Sequence, residues 1–275
     1  MGTSSNDILF GTLNADTIQA LDGADIALGL SENDRLFGNA GADILAGNQG
    51  DDVIFAGRDD DTVFGGRDND RLWGDLGNDF LGGDLGDDII LGGSANPAFS
   101  LQDGNDRLFG NKGNDALFGN AGDDTLYGGM DDDTLYGGRG NDRLQGDLGN
   151  DRLAGDLGAD SLTGGAGNDI FLLGRLTGVP GFLSTGGATL GDADYIEDFT
   201  RGQDRIELLG DLTFGDLALT VENGNTTIQD RATGEFLAVV KGVTDLAAED
   251  FIPLTPEPDP TPTPTPAPEP TPDPT

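Results

Sequence analysis

The stretch GGRGNDRLQ, residues 137–145, is one copy of a nine-residue unit, and GNKGNDALF at 110–118 is another, three periods earlier. Its aspartate, Asp142, recurs at Asp133, Asp124, Asp115 and Asp106 going back and at Asp151, Asp160 and Asp169 going forward. One beat before Asp106 stands Pro97, and beyond it the phase resumes at Asp88, Asp79, Asp70, Asp61, Asp52, Asp43, Asp34, Asp25, Asp16 and Asp7. Eighteen aspartates share one frame, and their neighbours share it too. Gly stands two residues before the aspartate in twelve copies and four after it in fifteen, while Asn or Asp immediately precedes it in fourteen. These residue types tolerate left-handed backbone, so each unit carries a tight turn. Two residues after the aspartate an aliphatic side chain recurs, as at Leu9, Ile18, Leu36, Ile54, Val63, Leu117, Leu144 and Leu162, with Ala27 the weakest copy.

A unit of six turn residues and three strand residues cannot bury its single apolar side chain alone, so it must stack on copies of itself. Two repeats make one coil, which lays each strand over its equivalent in the next coil. The fold class is therefore all-β, a parallel β-roll whose two sheets sandwich a narrow aliphatic core. Turns stack as well, which brings carboxylates two repeats apart, such as Asp34 and Asp52, close together. Unneutralised they repel; a cation between them turns them into shared ligands beside turn carbonyls.

Composition names the cation's class. Asp and Glu outnumber Lys and Arg by 51 to 14, for a net charge of -37, which opposes compaction and excludes nucleic acid as a partner. The chain has no Cys and no His, so disulfides, thiolate metal sites, imidazole ligands and the commonest catalytic base are all absent. Oxygen ligands remain, and these suit calcium in multiple ions. All eighteen frame aspartates, Asp7 to Asp169, are candidate metal ligands. No stretch has the length of a membrane span, and the amino terminus, MGTSSNDILFGT, lacks the basic start and apolar run of a cleaved secretory signal peptide.

The unit matches G-G-x-G-x-D-x-U-x, and over roughly residues 3–175 the chain resembles the repeat-in-toxin, or hemolysin-type calcium-binding, family. The resemblance implies a calcium-loaded β-roll, unfolded without metal and exported unfolded by type I secretion machinery. DADYIEDFTRGQDRIELLG, with LAVVKGVTDLAAEDFI, also resembles the region that follows such repeats in secreted members, where the export signal lies near the end.

Three domains are expected: a β-roll over 1–175, a β-rich cap and probable export-signal region over 176–254, and a Pro/Thr tail over 255–275. In the cap, strand-like runs such as LALTVE and TTIQD flank a hairpin turn at Val221-Glu222-Asn223-Gly224-Asn225. The tail holds ten of the thirteen prolines, a composition of extended, solvated chain.

The copy SANPAFSLQ, inside residues 93–102, puts Pro97 at the ligand position and Phe99 at the apolar one, and reads as a degenerate repeat or a bulge kept in register. Since alternate repeats lie on opposite edges, Pro97 is expected to interrupt the column Asp7, Asp25, Asp43, Asp61, Asp79, then Asp115 onward, with calcium lost there. The other column, Asp16 to Asp160, should run unbroken, in a roll of about ten coils. Ser5, Asn14, Glu32, Asp59, Asp68 and Asp131 replace the Gly before the aspartate, and the irregular first repeats should hold weaker sites.

Three residues after the aspartate, Phe37, Phe55, Trp73, Leu91, Phe109 and Tyr127 should form an outward ladder, one per coil. Beside it Ile8, Ile26, Ile44 and Phe80 add an apolar stripe. The ladder either stabilises the sheet or forms a face for a surface polysaccharide or protein partner. No nucleophile or base constellation stands apart from the repeat, so the chain is expected not to be an enzyme. Outward threonines are too irregular for an ice-binding face. The expected function is a calcium-binding protein that folds on calcium outside the cell, secreted or held at the cell surface, with a structural, matrix or adhesion role. The alternative is an accessory binding module or a carbohydrate-active enzyme on a β-roll scaffold.

Overall fold

The computed structural model describes residues 1–94, 103–174 and 187–253. Pro97, Phe99, most of the SANPAFSLQ copy and the Pro/Thr tail lie outside the described residues. Eighteen strands, from Ile8–Phe10 to Ile170–Leu173, alternate between two parallel sheets, nine in each. Within a sheet the register steps by one coil: Arg107 lies opposite Thr125, Leu108 opposite Leu126 and Phe109 opposite Tyr127.

The core follows from the single inward position of each repeat. Leu36, Leu45, Ile54, Val63, Leu72, Leu81, Ile90 and Leu108 through Leu162 are fully buried in one continuous cluster. Each such side chain contributes about 1.5–3 kcal/mol of burial. Leu9 is only partly buried, at the open amino-terminal end. Most strands are six residues long rather than three, as in Thr125–Met130. The ladder continues through the turn glycine, with Asn111 opposite Gly129 and Lys112 opposite Met130, because stacked turns satisfy their backbone groups on their own equivalents.

The phase changes once. Strand Arg71–Leu76 pairs with Ile89–Gly93, and Ile89–Gly93 pairs with Ala116–Ala121, so Ile90 faces Leu72 on one side and Leu117 on the other. On the other sheet Phe80 faces Arg107 and Leu81 faces Leu108. The steps from Ile90 to Leu117 and from Leu81 to Leu108 each span three repeats of sequence instead of two. No rung of either sheet lies between these strands, so the expected degenerate repeat kept in register is corrected: the coil count is nine, not ten. The edges exchange sequence partners as a result. Asp79 is followed by Asp106 and Asp88 by Asp115, so the expected interruption at Pro97 does not occur and both columns run on.

The aromatic ladder is corrected for the same reason. Phe37, Phe55, Trp73 and Leu91 do stack up one sheet, but they continue into Phe118 and Tyr136. Phe109 and Tyr127 lie on the opposite sheet, where Phe109 also packs on Phe80 at 5.0 Å. Ile8, Ile26 and Ile44 line up on that sheet as well, not beside Phe37, Phe55 and Trp73 as expected, and Thr62 separates Ile44 from Phe80.

Past residue 174 both sheets go on. Asp194–Ile196 and Phe236–Val240 extend one, Arg205–Leu208 and Phe251–Pro253 the other, all in parallel. Asn225–Asp230 then pairs antiparallel with Phe236–Val240 and with Leu217–Glu222, the last pair joined across Asn223 and Gly224. Ile196, Ile206, Leu237, Val240 and Phe251 close the core. Ion pairs fasten this end: Arg152 to buried Glu207 at 2.8 Å, and Arg201 to Asp245, Glu249 and Asp250 at 2.7–3.0 Å. Among the described residues helix is confined to three-residue turns, and none is long and apolar enough to cross a membrane.

Candidate metal centre

Most turns are bent by two left-handed residues. Before Asp115 these are Asn111 (φ 76°) and Gly113 (φ 135°); before Asp151, Asp147 (φ 75°) and Gly149 (φ 156°). Where the glycine is replaced, Glu32, Asp59, Asp68 and Asp131 hold φ of 66–79° themselves. Leu21 (φ 82°) and Leu30 (φ 91°) are forced into the same region in the first turns, at a cost of about 1–2 kcal/mol each.

The bend delivers the frame aspartate to the edge between coils. There Oδ1 accepts from the backbone amide of the aspartate one coil earlier: Asp34 to Asp52 and Asp106 to Asp124 at 2.7 Å, Asp115 to Asp133 at 2.8 Å. One column runs Asp7, Asp25, Asp43, Asp61, Asp79, Asp106, Asp124, Asp142, Asp160; the other Asp16, Asp34, Asp52, Asp70, Asp88, Asp115, Asp133, Asp151, Asp169. The sixteen from Asp25 to Asp169 are at most 2% exposed, and the Oδ2 of every one is buried without a hydrogen-bond partner.

Asp7 and Asp16 differ. Their Oδ2 atoms accept from the amide and hydroxyl of Thr3 and Thr12, four residues earlier, at 2.5–2.8 Å. The amino-terminal member of each column is thus closed by its own turn. Two further aspartates continue the columns, Asp194 above Asp160 and Asp204 above Asp169, with Oδ1 accepting at 3.2 and 3.1 Å. The nine-residue period does not reach them, but the aspartate–x–aliphatic triplet does, in Asp194-Tyr195-Ile196 and Asp204-Arg205-Ile206. Asp194 Oδ2 is orphaned as in the roll, whereas Asp204 Oδ2 accepts from the Thr200 amide at 2.6 Å.

Orphaned carboxylate oxygens at this density are not tolerable as charges in a bare protein. Burial, helped by neighbouring carboxylates, pushes Asp61 and Asp106 up to about 9 and Asp70, Asp133 and Asp142 to about 8, against the pull of the amide each accepts from. Asp43, Asp88 and Asp169 rise to about 6. Only protons or cations relieve such a column.

The surroundings fit a cation. A β carbon added at Gly110 would stand 2.6 Å from the Gly128 carbonyl oxygen and collide with Asp115 Oδ2. Gly38 holds the same relation to Ala56 O and Asp43 Oδ2, and Gly119 to Gly137 O and Asp124 Oδ2. A glycine five residues before the aspartate thus leaves a cradle into which a carboxylate oxygen and a carbonyl of the next coil both point. Ala20 and Ala56 take that position before Asp25 and Asp61. Among the described residues no three acidic side chains converge as a metal-ligand group. An ion here would draw on one or two carboxylates and on turn carbonyls, the all-oxygen shell that suits calcium.

Outside this column runs a second one. Where the residue before the aspartate is Asn or Asp it links coils in the opposite sense, as in Asn69 N donating to Asp51 Oδ1 at 3.0 Å, Asp87 N to Asn69 Oδ1 and Asn114 N to Asp87 Oδ1 at 2.9 Å. These side chains are exposed.

The fold and its oxygen-lined edges define a calcium-binding β-solenoid. The chain belongs to the RTX calcium-binding nonapeptide repeat family, whose model of four repeat copies matches residues 1–36, 28–63, 55–90, 102–135 and 136–171. Among solved structures, the AlgE6R3 subunit of the Azotobacter vinelandii mannuronan C5-epimerase, determined in solution, is 30% identical over 49% of this chain and 80% of that one, with a TM-score of 0.38. Among curated proteins none matches the chain.

Proposed function

We propose that this protein folds on calcium outside the cell and serves there as a structural, matrix or adhesion component, without catalysis of its own. The observation that carries the reading is the set of buried, unpartnered Oδ2 atoms from Asp25 to Asp169, most of them beside a glycine cradle. At low calcium these carboxylates repel and the chain stays open; at high calcium the edges close and the aliphatic core forms. A chain open inside the cell and closed outside suits export by type I secretion machinery, with the signal in the region 176–254. Calcium would be held by the sixteen frame aspartates whose Oδ2 is orphaned, while the threonine-closed Asp7 and Asp16 act as end stops.

The aromatic ladder supports a structural reading over a sugar-binding one. Phe37 and Phe55 stack at 5.4 Å and 8°, Phe55 and Trp73 at 4.6 Å and 15°, Phe118 and Tyr136 at 5.2 Å and 7°. Rings stacked face to face spend their faces on each other and leave edges outward, whereas a sugar packs on an open face. Circular dichroism and size exclusion on metal-stripped protein, titrated in parallel with calcium and magnesium, test the reading. Compaction and β structure with calcium alone support it; a chain already compact in chelator, or folded equally by magnesium, removes it.

A further inference from the structure

The point where the register steps by three repeats instead of two has a simple description in the sequence. Taking out Ser94–Gln102 joins Gly92-Gly93 to Asp103-Gly104-Asn105-Asp106-Arg107-Leu108-Phe109, which reads GGDGNDRLF, a full copy of the repeat. The structure treats these separated halves as one turn. Gly92 takes the cradle position for Asp106: a β carbon there would collide with Asp106 Oδ2 and stand 2.8 Å from Gly119 O. Wherever an uninterrupted repeat has that glycine, it lies five residues before its aspartate; here it lies fourteen before. The amides of Asp79 and Asn105 make the usual ladder bonds across the join, to Asp106 Oδ1 at 2.8 Å and Asn78 Oδ1 at 2.9 Å.

One residue of this composite turn stands apart by its chemistry and its burial together. The position three before the frame aspartate is acidic only at Asp103 and Asp22. Asp22 is exposed. Asp103 turns inward over Gly93; its Oδ1 accepts from Gly104 N at 3.0 Å, and its Oδ2 is buried without a partner. The Oδ2 atoms of Asp106 and Asp103 lie over neighbouring glycines, where β carbons added at Gly92 and Gly93 would collide with them in turn. Asp106 is itself 1% exposed with an orphaned Oδ2.

We infer that the split turn is a composite calcium site, built from Gly92 on one side of the nine-residue insertion and Asp103 and Asp106 on the other, in which Asp103 supplies a buried carboxylate three residues before the frame aspartate, where the only other acidic residue, Asp22, is exposed. The inference rests on the calcium reading of the roll and adds a residue outside the repeat pattern. Calcium affinity rises with the number of ligand charges, so this site fills before the others and closes the chain across the insertion.

The test is calcium titration of the metal-stripped full chain in competition with a chromophoric chelator. Asp103→Asn is expected to weaken the tightest ion by about tenfold or more while the remaining ions and the calcium-loaded circular dichroism stay as in the parent. Asp22→Asn is expected to change nothing. Deletion of Ser94–Gln102 is expected to keep the tightest ion and the full ion count. An Asp103→Asn titration that superimposes on the parent, a deletion that loses an ion, or an Asp103→Asn chain that fails to fold even in excess calcium each overturns the inference. A parent that takes up no calcium overturns the proposed function first, which separates the two failures.

Discussion

The backbone amide of Asp34 donates to Oδ1 of Asp52 over 2.7 Å, one coil further on, while Oδ2 of the same Asp52 carboxylate is buried with no partner. A single side chain thus does two separable jobs. One oxygen ties coils together whether or not metal is present; the other faces the cradle at Gly47, where a β carbon would collide with it. Asp52→Asn keeps an acceptor for the Asp34 amide and removes the charge from the cradle. It is expected to raise the calcium midpoint for folding by about tenfold, roughly 1.4 kcal/mol. Asp52→Ala also orphans the amide and is expected to cost a further ~1–3 kcal/mol. Calcium titrations followed by circular dichroism separate the two, and an Asp52→Asn midpoint equal to the parent's would show that Oδ2 holds no ion.

The cradle can be tested without touching a charge. Gly110→Ala places a methyl group 2.6 Å from Gly128 O and against Asp115 Oδ2. Loss of one calcium ion and a higher calcium midpoint are expected. Gly224→Ala is the control, since Gly224 has φ +83° and no atom within 4 Å of an added β carbon. That change should cost about 1 kcal/mol of backbone strain and leave the ion count untouched. Isothermal titration calorimetry reads the count directly.

The roll was legible because turn chemistry and one inward aliphatic position repeat together. What escaped has a common cause in the period itself. A nine-residue insertion is invisible to a nine-residue frame: Asp106 stays in phase with Asp88, yet the structure stacks it on Asp79. That shift moved Phe118 and Tyr136, rather than Phe109 and Tyr127, onto the face of Phe55 and Trp73. Asp194 and Asp204 escaped because spacings of 34 and 35 residues separate them from Asp160 and Asp169, although each keeps its aliphatic residue two positions on. The closure of Asp7 and Asp16 by Thr3 and Thr12 depends on hydroxyl placement that no periodicity reports.

Acid should replace part of the calcium. In the metal-free roll, burial raises the column aspartates to values from about 6 at Asp43 and Asp88 to about 9 at Asp61 and Asp106, whereas the open chain titrates near the ordinary 3.8. A raised folded value means that the folded state binds protons more tightly, so its stabilisation is fully present below about pH 4 and lost as pH rises through 6–9. In chelator, β structure is therefore expected to grow on acidification from pH 9 toward 4. Calcium binding near neutral pH should release protons, detectable as a dependence of the binding enthalpy on buffer. Less β structure in chelator at pH 5 than at pH 9 would contradict the assignment of these carboxylates to the buried edges.

The outer ladder makes a different prediction, because its charges are exposed and alternate with amides. Along one edge it reads Asn33, Asp51, Asn69, Asp87, Asn114, Asp132, Asn150, Asn168, each side chain up to Asn150 accepting from the next coil's amide at 2.7–3.1 Å. An Asn between two Asp keeps carboxylates two coils apart and can donate backward, as Asn150 Nδ2 does to Asp132 Oδ1 at 2.9 Å. Asn69→Asp would set carboxylates at 51, 69 and 87 on three successive coils while keeping an acceptor for the Asp87 amide. Like charges facing each other on a sheet cost roughly 0.2–1 kcal/mol per pair when exposed, and salt screens them. The variant's calcium-loaded thermal midpoint is expected to fall by a few degrees in low salt and to approach the parent's at about 0.5 M salt. Asn69→Ala removes the acceptor instead of adding charge, so its loss should persist in salt. A deficit in Asn69→Asp that salt leaves unchanged would show that the alternation serves hydrogen bonding alone and not the spacing of charge.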